Sequence, residues 1–238
     1  MQIKDTGIIV SKRLSGEKAA VVTVFTKEHG LYPCYINNIV GKNSVIYQLG
    51  NIVDLFLSAR LDEHMGTGRC ELVYGASHFM QNKTKLYALN SLLAMTLASF
   101  EERAPHPKFF ALLSHYIKNS ASSFKVMDYL RLESEMLSEA GYGLDLSVCA
   151  VTGEKEELIY VSPKSGRAVS AKAGEKYKDK LLQLPTCALS YEDNAKTEEL
   201  VQMAGLLLYF FKRYVFKHGE PNARKEFAKY LKSGLASL

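Results

Sequence analysis

No apolar run in this chain is long enough to cross a membrane. The most apolar stretch, Met203 to Phe211, is nine residues long and stops at Lys212-Arg213, against the roughly twenty that a spanning helix needs. It reads as a buried helix. Cysteine is scarce too: Cys34, Cys70, Cys149 and Cys187 are scattered without paired spacing, which argues against a disulfide framework and for reduced thiols in small core positions. The opening Met-Gln-Ile-Lys-Asp has neither the basic nor the apolar segment of a secretory signal. A cytoplasmic protein is expected.

Catalytic patterns are missing as well. The histidines at 29, 64, 78, 106, 115 and 218 include no pair at metal-ligand spacing. Gly41-Lys42-Asn43 lacks the preceding glycine and the following Ser/Thr of a phosphate loop. Gly66-Thr67-Gly68 is followed by no third glycine, and Cys149 beside Thr152 has no neighbouring His to activate it. No enzyme, no cofactor and no metal are expected. Charge of one sign is modest at +5, but it is unevenly spread: residues 195–238 carry eight Lys/Arg against four acids, while each earlier segment is within one charge of neutral. A solvated helix face and a phosphate-facing patch both account for this excess.

What is present is a change of period. Residues 1–80 hold five runs rich in Val, Ile, Phe, Tyr and Thr: Gly7 to Val10, Ala19 to Thr26, Leu31 to Ile39, Ile52 to Leu61 and Arg69 to Gly75. Turn residues separate them, among them Gly66-Thr67-Gly68 before the last, and Pro33 marks an edge or bulge. Five short strands suit a small closed barrel of the OB-fold kind. From residue 83 the spacing is helical, with helices expected to about Arg103, from Pro107, and from about Phe124 to Ala140. Further helices are expected from a Ser170 cap to Leu182, from an Asn194 cap through Ala195 to His218, and from Pro221 to about Leu231. The chain is thus an α+β protein: a five-stranded N-terminal barrel over residues 1–80, then a helical bundle over 81–238. Between about 144 and 190 a turn-rich knuckle interrupts the bundle around the strand-like Leu-Ile-Tyr-Val (158–161).

Single strands are bound on such barrels by a basic groove with aromatic platforms. The barrel candidates are Lys12, Arg13, Lys18, Lys27, Lys42, Arg60 and Arg69, interleaved with Phe25, Tyr32, Tyr35 and Tyr47. Phe25 alternates with Val22 and Val24 and reads as core, whereas Tyr35 and Tyr47 lie nearer to loops. The second candidate patch is C-terminal: Lys212, Arg213, Lys217, Arg224, Lys225, Lys229 and Lys232.

Arg131-Leu132-Glu133, Ala140 to Leu146, Cys149-Ala150-Val151-Thr152-Gly153 and Tyr160 to Ser170 together resemble the middle of the RecO recombination-mediator proteins of bacteria. The resemblance extends, more loosely, to Gly7-Ile8-Ile9-Val10, Val24 to Gly30, Gln48-Leu49-Gly50-Asn51, Ala59 to His64 and the tail from Tyr209 to Phe227. It implies an OB-fold barrel and a nucleoid-associated DNA repair and recombination mediator. Such a protein binds single- and double-stranded DNA, contacts the acidic C-terminal tail of single-stranded-DNA-binding protein (SSB), works with RecR, anneals strands and helps load recombinase. Arg131 matches the Arg of the family's Arg-aromatic-Glu helix, although Leu132 replaces the usual aromatic, and would take the SSB tail carboxylate; an internal pairing with Glu135 is the alternative. Two departures stand out. Zinc-binding members use two Cys-x-x-Cys pairs, of which only Cys149 remains, with Thr152, Ser170 and Ala173 in the other places. The basic segment after the third strand is reduced to Lys42 within Asn37 to Asn43. The alternative function is a protein-interaction scaffold with weak or no DNA binding.

Overall fold

Alternating inward and outward side chains carry the N-terminal region into β1 (Gln2–Leu14), β2 (Ala19–Thr26), β3 (Gly30–Asn37), β4 (Ile52–Ser58) and β5 (Gly66–Tyr74). The structure, a computed structural model, describes residues 1–60, 64–191 and 195–233. The five strands close into a barrel in the order β1-β2-β3-β5-β4. Every joint is antiparallel except that between β3 and β5, the Greek-key connectivity of an OB-fold. β1 is thirteen residues long, far beyond the four expected from its apolar run. It serves two neighbours: Gln2 to Ile8 pairs with β4 and Gly7 to Leu14 with β2, with an irregularity between Ile9 and Ser11 where the strand turns the corner.

Gly66 and Gly68 lie inside β5, not in a turn. They form the parallel joint, opposite Cys34 and Ile36, and a Cβ on Gly68 would sit 3.2 Å from both Cys34 Sγ and Ile36 Cδ1. The close approach explains the pair of glycines without any nucleotide. Pro33 precedes by one residue the part of β3 that joins β5, so its missing N–H costs that ladder nothing. The barrel core is Ile9, Val22, Val24, Cys34, Val53 and Leu55 with their neighbours, all buried; burial pushes the Cys34 and Cys70 thiols up to about 12. Gly50-Asn51 ties the barrel's connections: Asn51 donates to the carbonyls of Val45 and Ile46 and accepts from the Ala76 amide.

Two compact units are present, Met1–Phe124 and Lys125–Leu238. The first includes α1 (Lys83–Ser99) and α2 (Pro107–Asn119). Asn82 caps α1 by accepting from the Lys85 amide, and Pro107 takes the first turn of α2. Phe25 is fully buried within 5.8–6.1 Å of Phe100, Phe109 and Phe110, as its alternation required.

The second unit starts with α3 (Val126–Glu139). It ends in a Schellman turn: Gly141 adopts φ +87°, its amide donates to Ser138 O, and the Tyr142 amide donates to Leu137 O. The knuckle contains β6 (Leu158–Val161), β7 (Ala168–Ser170), α4 (Ala171–Gly174), β8 (Leu182–Gln183) and α5 (Cys187–Ser190), with the sheet in the order β7-β6-β8. The expected helix from Ser170 to Leu182 is therefore only one turn of α-helix and a 3₁₀ turn over Glu175–Lys180, and Ser170 makes no side-chain cap bond. α6 (Thr197–Phe210) passes into a π-helical turn, Phe211–Val215, and α7 (Asn222–Lys232) follows. The expected cap at Asn194 lies outside the described residues, and the helix that follows it is shorter than the Ala195–His218 expected. Among the described residues no helix is long and apolar enough to cross a membrane.

Candidate nucleic-acid interface

Strand register assembles an outward-facing surface on the barrel. One row runs Arg13, Val21, Tyr35, Thr67, Ser58, Gln2 across all five strands, each residue paired with the next. The adjoining row runs Lys4, Phe56, Arg69 across β1, β4 and β5. Lys4 Nζ lies 5.4 Å and the Arg69 guanidinium 4.0 Å from the centre of the Phe56 ring, two cations within cation–π reach of one aromatic. Around this row is an open cleft of about 770 Å³, lined also by Asn37, Ser58 and Thr67. Arg69 is paired with Glu71 on the same face, and Asp54 accepts from Thr6 in the next row. The surface is thus cationic toward Lys4 and Arg69 and acidic beyond.

The expected residues distribute unevenly over this surface. Arg13 and Tyr35 belong to the first row, with Tyr35 half-buried. Lys12 is exposed at the same end of β1, and Arg60 is exposed just past Ala59, whose backbone bonds Met1 beside the cleft. Lys27 is at the far end of β2, 2.8 Å from Glu28. Lys42 sits exposed on the 3₁₀ turn Gly41–Val45. Tyr47 is no platform: it is 5 % exposed, inside the barrel, its hydroxyl accepting from the Cys70 amide. Tyr32 is buried as well. Lys4 and Phe56 were missed, because only cross-strand register brings them into one row with Arg69.

In the second unit the C-terminal patch loses its central member. Arg224 does not face phosphate: it is 1 % exposed, and its guanidinium meets both Glu133 oxygens at 2.9 Å, Glu220 Oε1 at 2.9 Å and the Ala204 carbonyl at 2.8 Å. Tyr129 donates to the same Glu133 carboxylate. The fork geometry of Arg suits such a buried, bidentate pair. The clue was Glu133, a carboxylate on the apolar stripe of α3, which had to find a cation inside. The other cations are at the surface: Lys212 approaches Glu220 at 3.4 Å, Lys225 meets the Asn222 amide oxygen, and Arg213 and Lys217 are exposed. Arg131, also exposed, bonds Asp128 at 3.1 Å, donates to the Tyr191 carbonyl and lies 5.5 Å over the Tyr191 ring.

The knuckle does not offer a zinc donor set. Cys149 is buried, and the Ser170 amide donates to its Sγ at 3.3 Å. Burial opposes ionisation of this thiol, but donors from Ser170 and Thr152 outweigh it and bring it down to about 6. Backbone bonds do the holding, Ala150 N to Ala168 O and Gly153 N to Cys149 O among them, with Arg167 and Asp145 joined at 3.2 Å. Among the described residues no three His, Cys, Asp or Glu side chains converge as metal ligands.

The model of the family described as Recombination protein O N terminal matches residues 1–75, and that of Recombination protein O C terminal matches residues 80–222. The DNA repair protein RecO of Rickettsia bellii (strain OSU 85-389) is 46 % identical over 233 residues, covering 97 % of both chains. Those of Rickettsia rickettsii (strain Iowa) and Rickettsia typhi (strain Wilmington) are 44 % and 45 % identical over 97 % of this chain and 98–99 % of theirs. With an OB-fold barrel in front, a helical part carrying the knuckle behind, and relatives of this similarity along nearly its whole length, the chain belongs to the RecO family of DNA repair proteins.

Proposed function

We propose that the protein is a recombination mediator that acts by binding, without bond-breaking catalysis, in the cytoplasm at the nucleoid. In this reading it holds single- and double-stranded DNA, contacts the SSB tail and RecR, anneals complementary strands and helps load recombinase. The observation that carries it is the Lys4–Phe56–Arg69 row beside Arg13, Tyr35 and Thr67. An aromatic with two cations in reach supplies what a single strand needs without regard to sequence: π-faces and guanidinium planes for bases, and charge for phosphates. Annealing then requires only that two phosphate chains be screened together.

Affinity for an oligonucleotide measured at two salt concentrations tests the reading. A mediator shows a steep decline with salt, and removing Lys4 and Arg69 together flattens the slope of log affinity by about 1.4, at about 0.7 per phosphate contact for single strands. A salt-insensitive or absent interaction rejects DNA binding. It would favour an interaction scaffold, toward which the lone Lys42 after β3 and the Lys27–Glu28 pairing point. For the SSB tail, Arg131 over Tyr191 offers a cation at the surface of the second unit. Arg131→Ala is expected to weaken a tail peptide severalfold at unchanged melting temperature, and undiminished affinity removes Arg131 from the assignment.

A further inference from the structure

We propose that the outer face of Tyr142 is a stacking platform for one base of a single-stranded nucleic acid, with Arg213, over the neighbouring Tyr214 ring, for the adjoining phosphate. This rests on the DNA-binding reading above but concerns a surface wholly within the second unit. Three rings form a column from the core outward. Phe210, 1 % exposed, is stacked on Tyr214 at 6.4 Å and 19°, and Tyr214 on Tyr142 at 4.8 Å and 8°. Tyr142 ends the column and is 43 % exposed, so the side away from Tyr214 faces solvent.

The column is rigid before any ligand arrives. Tyr142 is placed by the Schellman turn of α3 through its amide bond to Leu137 O, 2.8 Å. Tyr214 belongs to the π-helical turn, and its hydroxyl donates to the Lys164 carbonyl at 3.2 Å. π-Turns of this sort are frequent at functional sites. Arg213 lies 5.4 Å from the Tyr214 ring centre and donates one N–H to the Tyr209 hydroxyl at 3.0 Å; a guanidinium has five such donors, so most remain for a ligand.

Charge selects the occupant. The neighbouring segments 211–217 and 162–167 contain five Lys/Arg and no carboxylate, although Arg167 is committed to Asp145 and Lys212 approaches Glu220, and Glu139 and Asp145 lie near Tyr142 in the chain. A flat ring in such surroundings suits a planar base on a phosphate chain, and stacking tolerates any base. An acidic peptide ending in an aromatic residue is the competing occupant and is separated by experiment.

The chain contains no tryptophan, so Tyr142→Trp in the full-length protein places its one tryptophan at the platform, where it can be excited at wavelengths that tyrosine does not absorb. Titration with an oligothymidylate is expected to quench its emission in step with binding of the same labelled strand measured by anisotropy. Strand binding with unchanged emission overturns the platform and leaves the DNA-binding reading standing; no strand binding at all ends both. Emission that responds to an Asp-rich, Phe-terminated peptide and not to the strand also overturns it. Tyr142→Leu keeps an apolar contact on Tyr214 but loses the flat face, and is expected to weaken the strand about tenfold at unchanged melting temperature. Tyr142→Phe is expected to bind as the parent does, and equal affinity of the Leu variant overturns the platform.

Discussion

Arg69 on the barrel and Arg224 in the helical unit both read as DNA-facing cations in the sequence, and the structure separates them completely. Arg69 lies 63 % exposed over Phe56, paired with the equally exposed Glu71. Arg224 is enclosed, its donors divided among two carboxylates and a backbone carbonyl. A surface guanidinium can exchange water for phosphate at little cost. A buried one has already exchanged water for Glu133 and would have to abandon it. Formal charge in the C-terminal segment therefore overstates the charge that a polyanion meets there. Glu133, from a distant part of the chain, neutralises Arg224, and Glu220 serves Arg224 and Lys212 together.

The sharpest way to break this comparison is at the buried pair. Arg224→Ala leaves Glu133 uncompensated, and a loss of about 3–5 kcal/mol in urea unfolding is expected. Arg224→Met combined with Glu133→Leu is expected to cost much less, since an apolar pair of similar volume can replace a buried ion pair. A folded Arg224→Ala protein that lost DNA affinity with a flatter salt slope would put the guanidinium back at the surface. Next in size is Phe56→Ala, expected to weaken a single strand by about 1–3 kcal/mol through lost stacking while unfolding free energy changes little, the ring being half-exposed. The last effect is a pH trend and concerns Cys149. Its thiol is held near 6 in the fold against an ordinary 9, so the folded state gains from the thiolate above pH 9 and loses that gain as pH falls through 6. The stability difference between the parent and Cys149→Ala is thus expected to grow from pH 6 to pH 9 in urea titrations.

Local pattern was enough for the barrel strands, the positions of α1, α2, α3 and α7, and the core place of Phe25, because apolar alternation and helix caps act over a few residues. It failed where partners decide. The reach of β1 depends on its having two neighbours, and the place of Gly66 and Gly68 on a parallel joint with β3. Tyr47 looked loop-borne yet closes the barrel core, since the loop folds inward behind Asn51. Likewise Lys4 and Phe56 are unremarkable residues until register aligns them with Arg69. The Tyr142 column joins the end of α3 to Phe210 and Tyr214, which helical spacing pairs with each other but not with Tyr142.

The parallel joint has a consequence of its own. It is only three residue pairs long, Cys34 to Ile36 against Gly66 to Gly68, whereas every other joint of the barrel is longer. It is the place where the cylinder comes apart most cheaply. Tyr35 and Thr67 flank that seam from outside, so a strand laid along their row would lash it shut. Binding there would favour closure and closure would favour binding, so under the proposed function the barrel would be most firmly sealed when occupied.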